Sequence, residues 1–221
     1  MEINLLRKNE QTAAAWAGGT TTQLAIWPPG SDYRERDFVW RLSTARVELE
    51  ESVFTPLPGY HRLLMILEGS VRLTHQTPDG RREVALDAFG QDSFEGGWKT
   101  ASRGRCADFN LMMAAGCEGS LEAMKNSGGG TFTLNGGRME NGALVTQAFY
   151  CLRPGIFVEA GAWDNAGEKK FETTLGEGDF LMFSASGAGE KFRAVFSGPG
   201  DPGGGDSGVW GVRAEIKYRA D

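Results

Sequence analysis

Histidine is almost missing from this chain: His61 and His75 are the only two in 221 residues. Imidazole nitrogens suit divalent transition metals, and two histidines outside any H-x-H pair are too few for a histidine-rich metal centre, so no metal is expected. Both are expected at the surface, at neighbouring strand ends. Cysteine is nearly as scarce. Cys106, Cys117 and Cys151 are odd in number and widely spaced, which argues against a disulfide framework and suits free thiols in a reducing cytoplasm. No apolar run nears the roughly 20 residues of a membrane helix, and the opening MEINLLRKNEQTAAAW lacks the apolar core and cleavage pattern of a signal peptide. Positive charge is also in deficit, with 23 Lys and Arg against 29 Asp and Glu, a net charge of −6 and no basic cluster. That balance opposes a nucleic-acid backbone. No serine sits in a G-x-S-x-G elbow, and no cysteine has a base beside it in a recognisable motif.

Strand signals fill the space these absences leave. The 32 glycines suit many tight turns. Thr20–Trp27 is rich in β-formers and stops at Pro28-Pro29-Gly30; Phe38–Leu49 is the longest alternating run. Phe54–Leu57, Leu63–Leu67, Ser70–His75, Glu83–Leu86 and Cys106–Met113 follow, with Pro78-Asp79-Gly80 as a hairpin turn. Cys117–Gly142 is rich in glycine and reads as a weakly structured seam, with a short strand at Thr131–Leu134 and the chain's one hint of a helical turn near Ser120–Lys125. The strand pattern then restarts at Ala143–Leu152, Ile156–Glu159, Phe171–Thr174, Asp179–Ser184 and Lys191–Phe196. Gly198–Gly208 reads as a loop, and Val209–Tyr218 as a closing strand. Turns every 8–12 residues point to an all-β sandwich or barrel. The restart after the seam implies two related units, residues 1–117 and 118–221, with the last strand free to pair back.

Two arginines interrupt apolar strand faces. One face of the first long strand carries Val39, Arg41, Ser43, Ala45, Val47 and Leu49; one face of the next carries Arg62, Leu64, Ile66 and Glu68. A guanidinium left unpaired in an apolar interior costs several kcal/mol. Arg41 and Arg62 therefore either pair with buried carboxylates, for which Glu68, Asp92 and Asp108 are candidates, or await an anionic ligand. Alternation in Cys106–Met113 sets Asp108, Asn110 and Met112 on one face. If that face shares an interior with the arginines, the barrel mouth carries two planar donor forks, a carboxylate, an amide and the Ser43 hydroxyl. Such a set could orient a small zwitterion or dicarboxylate. The alternative is a structural Arg–Asp pair with Asn110 satisfying the backbone. Trp16, Trp40, Trp98 and Phe94 could stack on a planar ligand or form plain core. Gly18-Gly19 could bring backbone N–H groups to an anion or simply turn the chain. Glu48, Glu50 and Glu51 are expected to face water.

The segments WAGGTTTQL (16–24), FVWRLSTARVE (38–48), FTPLPGYHRLLMILEG (54–69) and SFEGGWKTASRGRCADFNLMM (93–113) together resemble the HutD/Ves family. The resemblance covers about the first half of the chain. F-x-W-R-x-S-x-A, G-x-x-R, the L-E-G turn and D-F-N-x-M are its most specific parts. It departs from the family pattern at Trp16–Thr20, where an expected Asn is missing, and at His61, where an acidic residue is expected before the arginine. The resemblance implies a bicupin fold, two cupin-like barrels in one chain. It also implies a cytoplasmic protein tied to histidine utilisation as a modulator rather than an enzyme, with a small anionic metabolite such as urocanate or formiminoglutamate as ligand. The expected ligand-binding residues are Arg41, Ser43, Arg62, Glu68, Asp108, Asn110, Trp40 and Trp16, with no catalytic residue and no cofactor. The partners expected are that metabolite and, through an exposed sheet face, a second copy; nucleic acid and membrane are not. A metal-independent isomerase, lyase or hydrolase, with Asp108 as base and Arg62 as electrostatic stabiliser, is the alternative.

Overall fold

Our computed structural model describes residues 1–125, 131–139, 142–162, 171–185, 190–198 and 208–219. The described residues form nineteen strands and one short 3-10 helix, Lys8–Glu10, and every strand pairing is antiparallel. The chain divides into two compact units, residues 11–117 and residues 1–10 with 118–221. The first ten residues thus belong to the second unit, not to the first, where the order of the chain alone would put them.

In the first unit the strands are β2 (Ala13–Trp16), β3 (Gly19–Trp27), β4 (Trp40–Val47), β5 (Glu51–Val53), β6 (Tyr60–Gly69), β7 (Val71–Thr77), β8 (Gly80–Leu86), β9 (Gln91–Glu95), β10 (Lys99–Arg103) and β11 (Cys106–Ala114). They make two sheets, β2-β3-β4-β11-β6-β9 and β5-β10-β7-β8. Leu64, Ile66, Val71, Leu73, Leu86 and Phe94 form the core there.

The second unit opens with β1 (Glu2–Leu6) and continues with β12 (Glu118–Lys125), β13 (Thr131–Arg138), β14 (Leu144–Cys151), β15 (Ile156–Ala162), β16 (Phe171–Leu175), β17 (Phe180–Ser184), β18 (Lys191–Ser197) and β19 (Val209–Tyr218). Its orders are β1-β17-β14-β19-β12 and β13-β18-β15-β16, joined by a brief β13–β14 pairing. Strands β12 to β19 repeat the pairing order of β4 to β11. Aromatic side chains fill this unit: Phe149, Phe183, Phe192, Phe196 and Trp210 are buried together, and Phe132 stacks on Phe196 at 4.5 Å.

Expectation and structure part at Phe54–Leu57, which follows β5 without being a strand itself, and at the seam. Glu118–Lys125 is a strand, not a helical turn, and β13 runs to Arg138, past the expected Leu134. Glycine lowers β propensity and hid the second half of β13. Here it serves close approach. A Cβ on Gly136 would stand 2.3 Å from the Phe192 ring and 2.7 Å from the Val145 carbonyl. Most of the expected loop Gly198–Gly208 lies outside the described residues.

Strand β1 adds to β17 in register from Glu2↔Ser184 to Leu6↔Phe180, and the chain after it is clasped by one carboxylate. Asp179 accepts from the Arg7 guanidinium at 2.6 Å, from Lys8 N at 3.0 Å and from Gly176 N at 2.9 Å. Burial opposes ionisation there, but the Gly176, Arg7 and Lys8 donors prevail and hold Asp179 below the ordinary carboxylate range. Its contribution is therefore present above the unfolded value and lost as pH falls through the lower folded one. Asp179→Ala is expected to cost about 2 kcal/mol, read by urea unfolding at neutral pH, with the difference from wild type closing in acid.

Candidate functional site

A half-open cavity of about 120 Å³ lies within the first unit, among β3, β4, β6 and β11. Strand register explains its lining. Arg41, Met112 and Arg62 stand side by side across β4, β11 and β6; Ser43, Asn110 and Leu64 form the next row, and Ala45, Asp108 and Ile66 the third. Arg41, Ser43, Arg62, Asp108, Asn110 and Trp16, all expected from sequence, line the cavity with Thr21, Tyr33, Ala45, Phe54, Thr55 and Met112.

Both guanidiniums are buried, at 5% and 6% exposure, and among the described residues no carboxylate lies within 4.0 Å of either. Arg62 donates through Nη2 to Asn110 Oδ1 at 2.9 Å, while its Nε has no hydrogen-bond partner. Phe54 and Phe94 place their rings 5.1 and 5.2 Å from its guanidinium carbon. Arg41 donates through Nε to Gln23 at 2.9 Å and through Nη1 to Ser43 at 3.1 Å, and lies 4.6 Å from the Tyr33 ring centre. Ring faces hold such cations by about 1–2 kcal/mol when desolvated, without neutralising them. Burial lowers both pKa values. Asp108 and then Tyr33 oppose the shift at Arg62; Tyr33 opposes it at Arg41, whereas Arg62 adds to it.

The nearest negative group is held one residue away. Asn110 bridges, taking the Arg62 bond on its oxygen and donating through Nδ2 to Asp108 Oδ1 at 2.6 Å. Burial pushes the Asp108 carboxyl up to about 6, against the Asn110 bond and the Arg62 charge. Near neutral pH the cavity thus carries an excess of positive charge, with hydrogen-bond donors of Arg62 unused. A divalent cation does not fit this donor set: two buried guanidiniums repel it, and one carboxylate with one amide is too few ligands. Among the described residues, no three His, Cys, Asp or Glu side chains cluster in a way that could hold a metal ion. Burial also pushes the Cys106 and Cys151 thiols up to about 12, so neither offers a thiolate nucleophile at neutral pH.

Two expected residues do not reach the cavity. Glu68 is exposed and pairs with Arg46 at 3.3 Å. A bulge on β6 sets Ile66 opposite Asp108 but Glu68 opposite Ala107, which turns Glu68 off the interior face. Trp40 is buried on the other face of β4, alternate to Arg41. Phe94 packs beneath Arg62, and Trp98 lies 5.9 Å from the His75 ring. Asp92, a candidate partner for the arginines, instead binds Arg82 and His75. His75 is fully buried, a correction to its expected place at the surface. It had a signal: His75 continues the apolar face of Val71 and Leu73. His61 is half-exposed and contacts Glu95 and Ser93.

Sequence reasoning missed Tyr33, Gln23 and Phe54. Tyr33 stands in the polar run SDYRERD, where no periodicity marks it. A stack positions it: Tyr33 on Phe38 at 6.2 Å, Phe38 on Tyr60 at 4.3 Å, with the Tyr60 hydroxyl donating to the Phe38 and Arg36 carbonyls.

A family model described as HutD matches residues 8–197. Among solved structures, the chain is similar to a conserved protein of unknown function from Pseudomonas aeruginosa PAO1, at 20% identity and TM-score 0.72, covering 100% of both chains. It is also similar to HutD from Pseudomonas fluorescens SBW25, at 20% identity and TM-score 0.69, covering 99% of this chain and 100% of that one. Oxalate decarboxylase from Lactobacillus farciminis, solved as a formate complex, follows at 8% identity and TM-score 0.60, covering 97% and 86%. No curated protein matches the chain. With these neighbours the all-β architecture is that of a bicupin.

Proposed function

The chain belongs to the HutD family, and from that premise we propose that its first barrel is a receptor for a small carboxylate, sensing or modulating histidine catabolism without catalysing a step of it. One observation carries the reading: two buried guanidiniums line a half-open cavity and lack a carboxylate partner within 4.0 Å among the described residues. A bound acid would supply the missing charge, and Arg62 Nε is a donor still to be used. A cavity of about 150 Å³ holds benzene, so about 120 Å³ suits an acid of a few heavy atoms, or a larger one whose end projects from the mouth. The formate bound in the oxalate decarboxylase neighbour is a carboxylate of that kind. Urocanate, with a carboxylate for the arginines and a flat ring for Tyr33 and Phe54, is the first acid to test.

Thermal unfolding across histidine-pathway intermediates and other small acids tests the proposal. A true ligand at a hundredfold excess over its dissociation constant adds about 2.7 kcal/mol. Arg62→Ala should lose that response while retaining its circular dichroism, because no carboxylate is directly ion-paired to it and the buried Asp108 carboxyl, already pushed up to about 6, can take up a proton when the charge is removed. Silence of the wild type toward every acid sinks the receptor.

A second reading rests on Asp108, whose carboxyl near 6 suits a general base beside a guanidinium. A metal-independent isomerase, lyase or hydrolase would then turn the bound acid over. Mass spectrometry of the acid after long incubation separates the two readings.

A further inference from the structure

The two barrels can be aligned residue by residue. Leu86 and Phe94 stand eight apart across the β8–β9 turn, as Leu175 and Phe183 do across β16–β17. The third residue after each leucine has a left-handed backbone, Phe89 at φ 65° and Gly178 at φ 84°. The same backbone bond closes each turn, Gly90 N to Asp87 O and Asp179 N to Gly176 O. With this anchor the registers carry across: Phe94 faces Arg62, and Phe183 faces Gln147. Gln147 therefore answers to Arg62, Glu215 to Met112, Arg213 to Asn110 and Glu122 to Ser43.

In the second barrel this set closes on itself. Arg213 donates to Gln147 at 2.9 Å through Nε, to Glu122 at 3.2 Å through Nη1 and to Glu215 at 2.6 Å through Nη2. Gln147 in turn donates to Glu215 at 2.9 Å and to the Asn135 carbonyl at 2.8 Å. Lys217 adds a second ion pair to Glu215 at 3.0 Å, so two cations meet two carboxylates, and all three Arg213 guanidinium nitrogens are used. In the first barrel Arg62 reaches one carboxyl through Asn110 and Arg41 has no carboxyl within 4.0 Å among the described residues, while the glutamate positions hold serine and methionine.

We propose that the second barrel carries a self-occupied counterpart of the cavity, in which Glu122 and Glu215 take the place an acid takes beside Arg41 and Arg62. Ser43 and Met112 are then the residues that keep the first barrel open to acids. This rests on the receptor reading for what fills the first cavity, but the pairing within the second barrel stands without it. A carboxylate grafted at Ser43, whose hydroxyl already lies 3.1 Å from Arg41 Nη1, acts as a permanent ligand.

The test is thermal unfolding of the full chain in chloride, acetate and glutarate at equal ionic strength, for wild type, Ser43→Glu, the shorter Ser43→Asp, and Met112→Glu. The expected result in chloride is a midpoint raised by about 3 °C or more in the Ser43 and Met112 variants, the size of a gain near 1 kcal/mol in a chain of this length. Their response to acetate and glutarate disappears. Glu122→Gln with Glu215→Gln, which strands Arg213, lowers the midpoint and leaves the acid response intact. Variants that respond to acids like the wild type, that melt lower in chloride, or that all fail to fold overturn the inference. A wild type deaf to both acids, beside variants that gain stability, leaves the self-occupied barrel standing and takes acetate and glutarate out of the receptor reading, which then falls only if the histidine-pathway acids are silent as well.

Discussion

Asp92→Ala is expected to cost about 2–3 kcal/mol, because it strands a buried histidine N–H and takes the partner from a part-exposed guanidinium. The carboxylate sits at 5% exposure inside the first unit and serves two neighbours. Oδ1 pairs with Arg82 Nη2; Oδ2 takes Arg82 Nη1 at 3.3 Å and His75 Nε2 at 2.9 Å. His75 has no exposure, packs 4.7 Å from the Phe94 ring, and meets Thr100 Oγ1 at 2.9 Å through Nδ1. Burial lowers the His75 pKa, with Asp92 opposing the shift and the Arg82 and Arg62 charges adding to it. The ring is therefore neutral at pH 7, and its tautomer follows. An ion-paired carboxylate only accepts, so Nε2 carries the proton and Nδ1 accepts from the Thr100 hydroxyl. Alanine at position 92 strands the buried Nε2–H and deprives Arg82 of its partner together.

Urea unfolding at pH 7.5 reads the loss, and a change below about 1 kcal/mol would place the network among ordinary surface pairs. The pH dependence gives a second readout. A histidine with a depressed folded pKa contributes stability that is complete above its unfolded value near 6.5 and is lost as pH falls toward the lower folded value. Wild type should weaken on this account as pH drops below about 6.5. His75→Gln should remove that slope, and Thr100→Val should leave Nδ1 unsatisfied at a smaller cost, about 1–2 kcal/mol.

The histidine network shows where sequence reading stops. Period-2 alternation is enough to put Arg41 with Ser43 and Asp108 with Asn110 on interior faces, because a strand has only two sides. It cannot say which of three carboxylates faces an arginine, since that depends on pairing between strands. Asp92 lies on β9 opposite Leu64, one row from Phe94, and from there it serves β7 and β8 instead of the cavity. The same counting that succeeds for Arg62 points Glu68 inward, and one extra residue in the β6 bulge reverses it. Counting histidines argues against an imidazole-rich metal centre, yet misplaces His75, because scarcity says nothing about burial. The first half of β13 is legible as a short strand, whereas its continuation through Asn135-Gly136-Gly137 to Arg138 is not, because glycine there carries no strand signal. Tyr33 has no signal at all: its position follows from aromatic stacking between a polar loop and β6, a contact between distant parts of the sequence.

Asp108→Asn is expected to stabilise the protein by about 2–3 kcal/mol at pH 8 and to change little at pH 4. The Asp108 carboxyl ordinarily titrates at 3.8 and is pushed up to about 6 in the fold by burial, which outweighs the Asn110 bond and the Arg62 charge. The folded state then binds more protons than the unfolded one between those two values. Stability accordingly falls as pH rises from about 4 to about 6 and stays reduced above, by about 1.4 kcal/mol for every tenfold loss of acidity that folding imposes on the carboxyl. An amide at this position keeps an oxygen to accept from Asn110 and never ionises. His75 imposes a slope of opposite sign over a neighbouring pH range, so the wild-type profile alone is ambiguous. Subtracting it from the Asp108→Asn profile cancels the histidine, which both proteins share. Unfolding free energies at pH 4, 6 and 8 should give a difference that grows with pH. A variant less stable than wild type by a constant amount would mean that Asp108 acts as the counter-ion of Arg62 rather than as a strained acid. The same substitution bears on binding: an acid seated on Arg41 and Arg62 adds negative charge beside Asp108, so wild type takes up a proton as it binds. Asp108→Asn should hold the acid more tightly than wild type above pH 6, with affinity that no longer falls as pH rises. Calorimetric titration in two buffers of different ionisation enthalpy counts that proton directly.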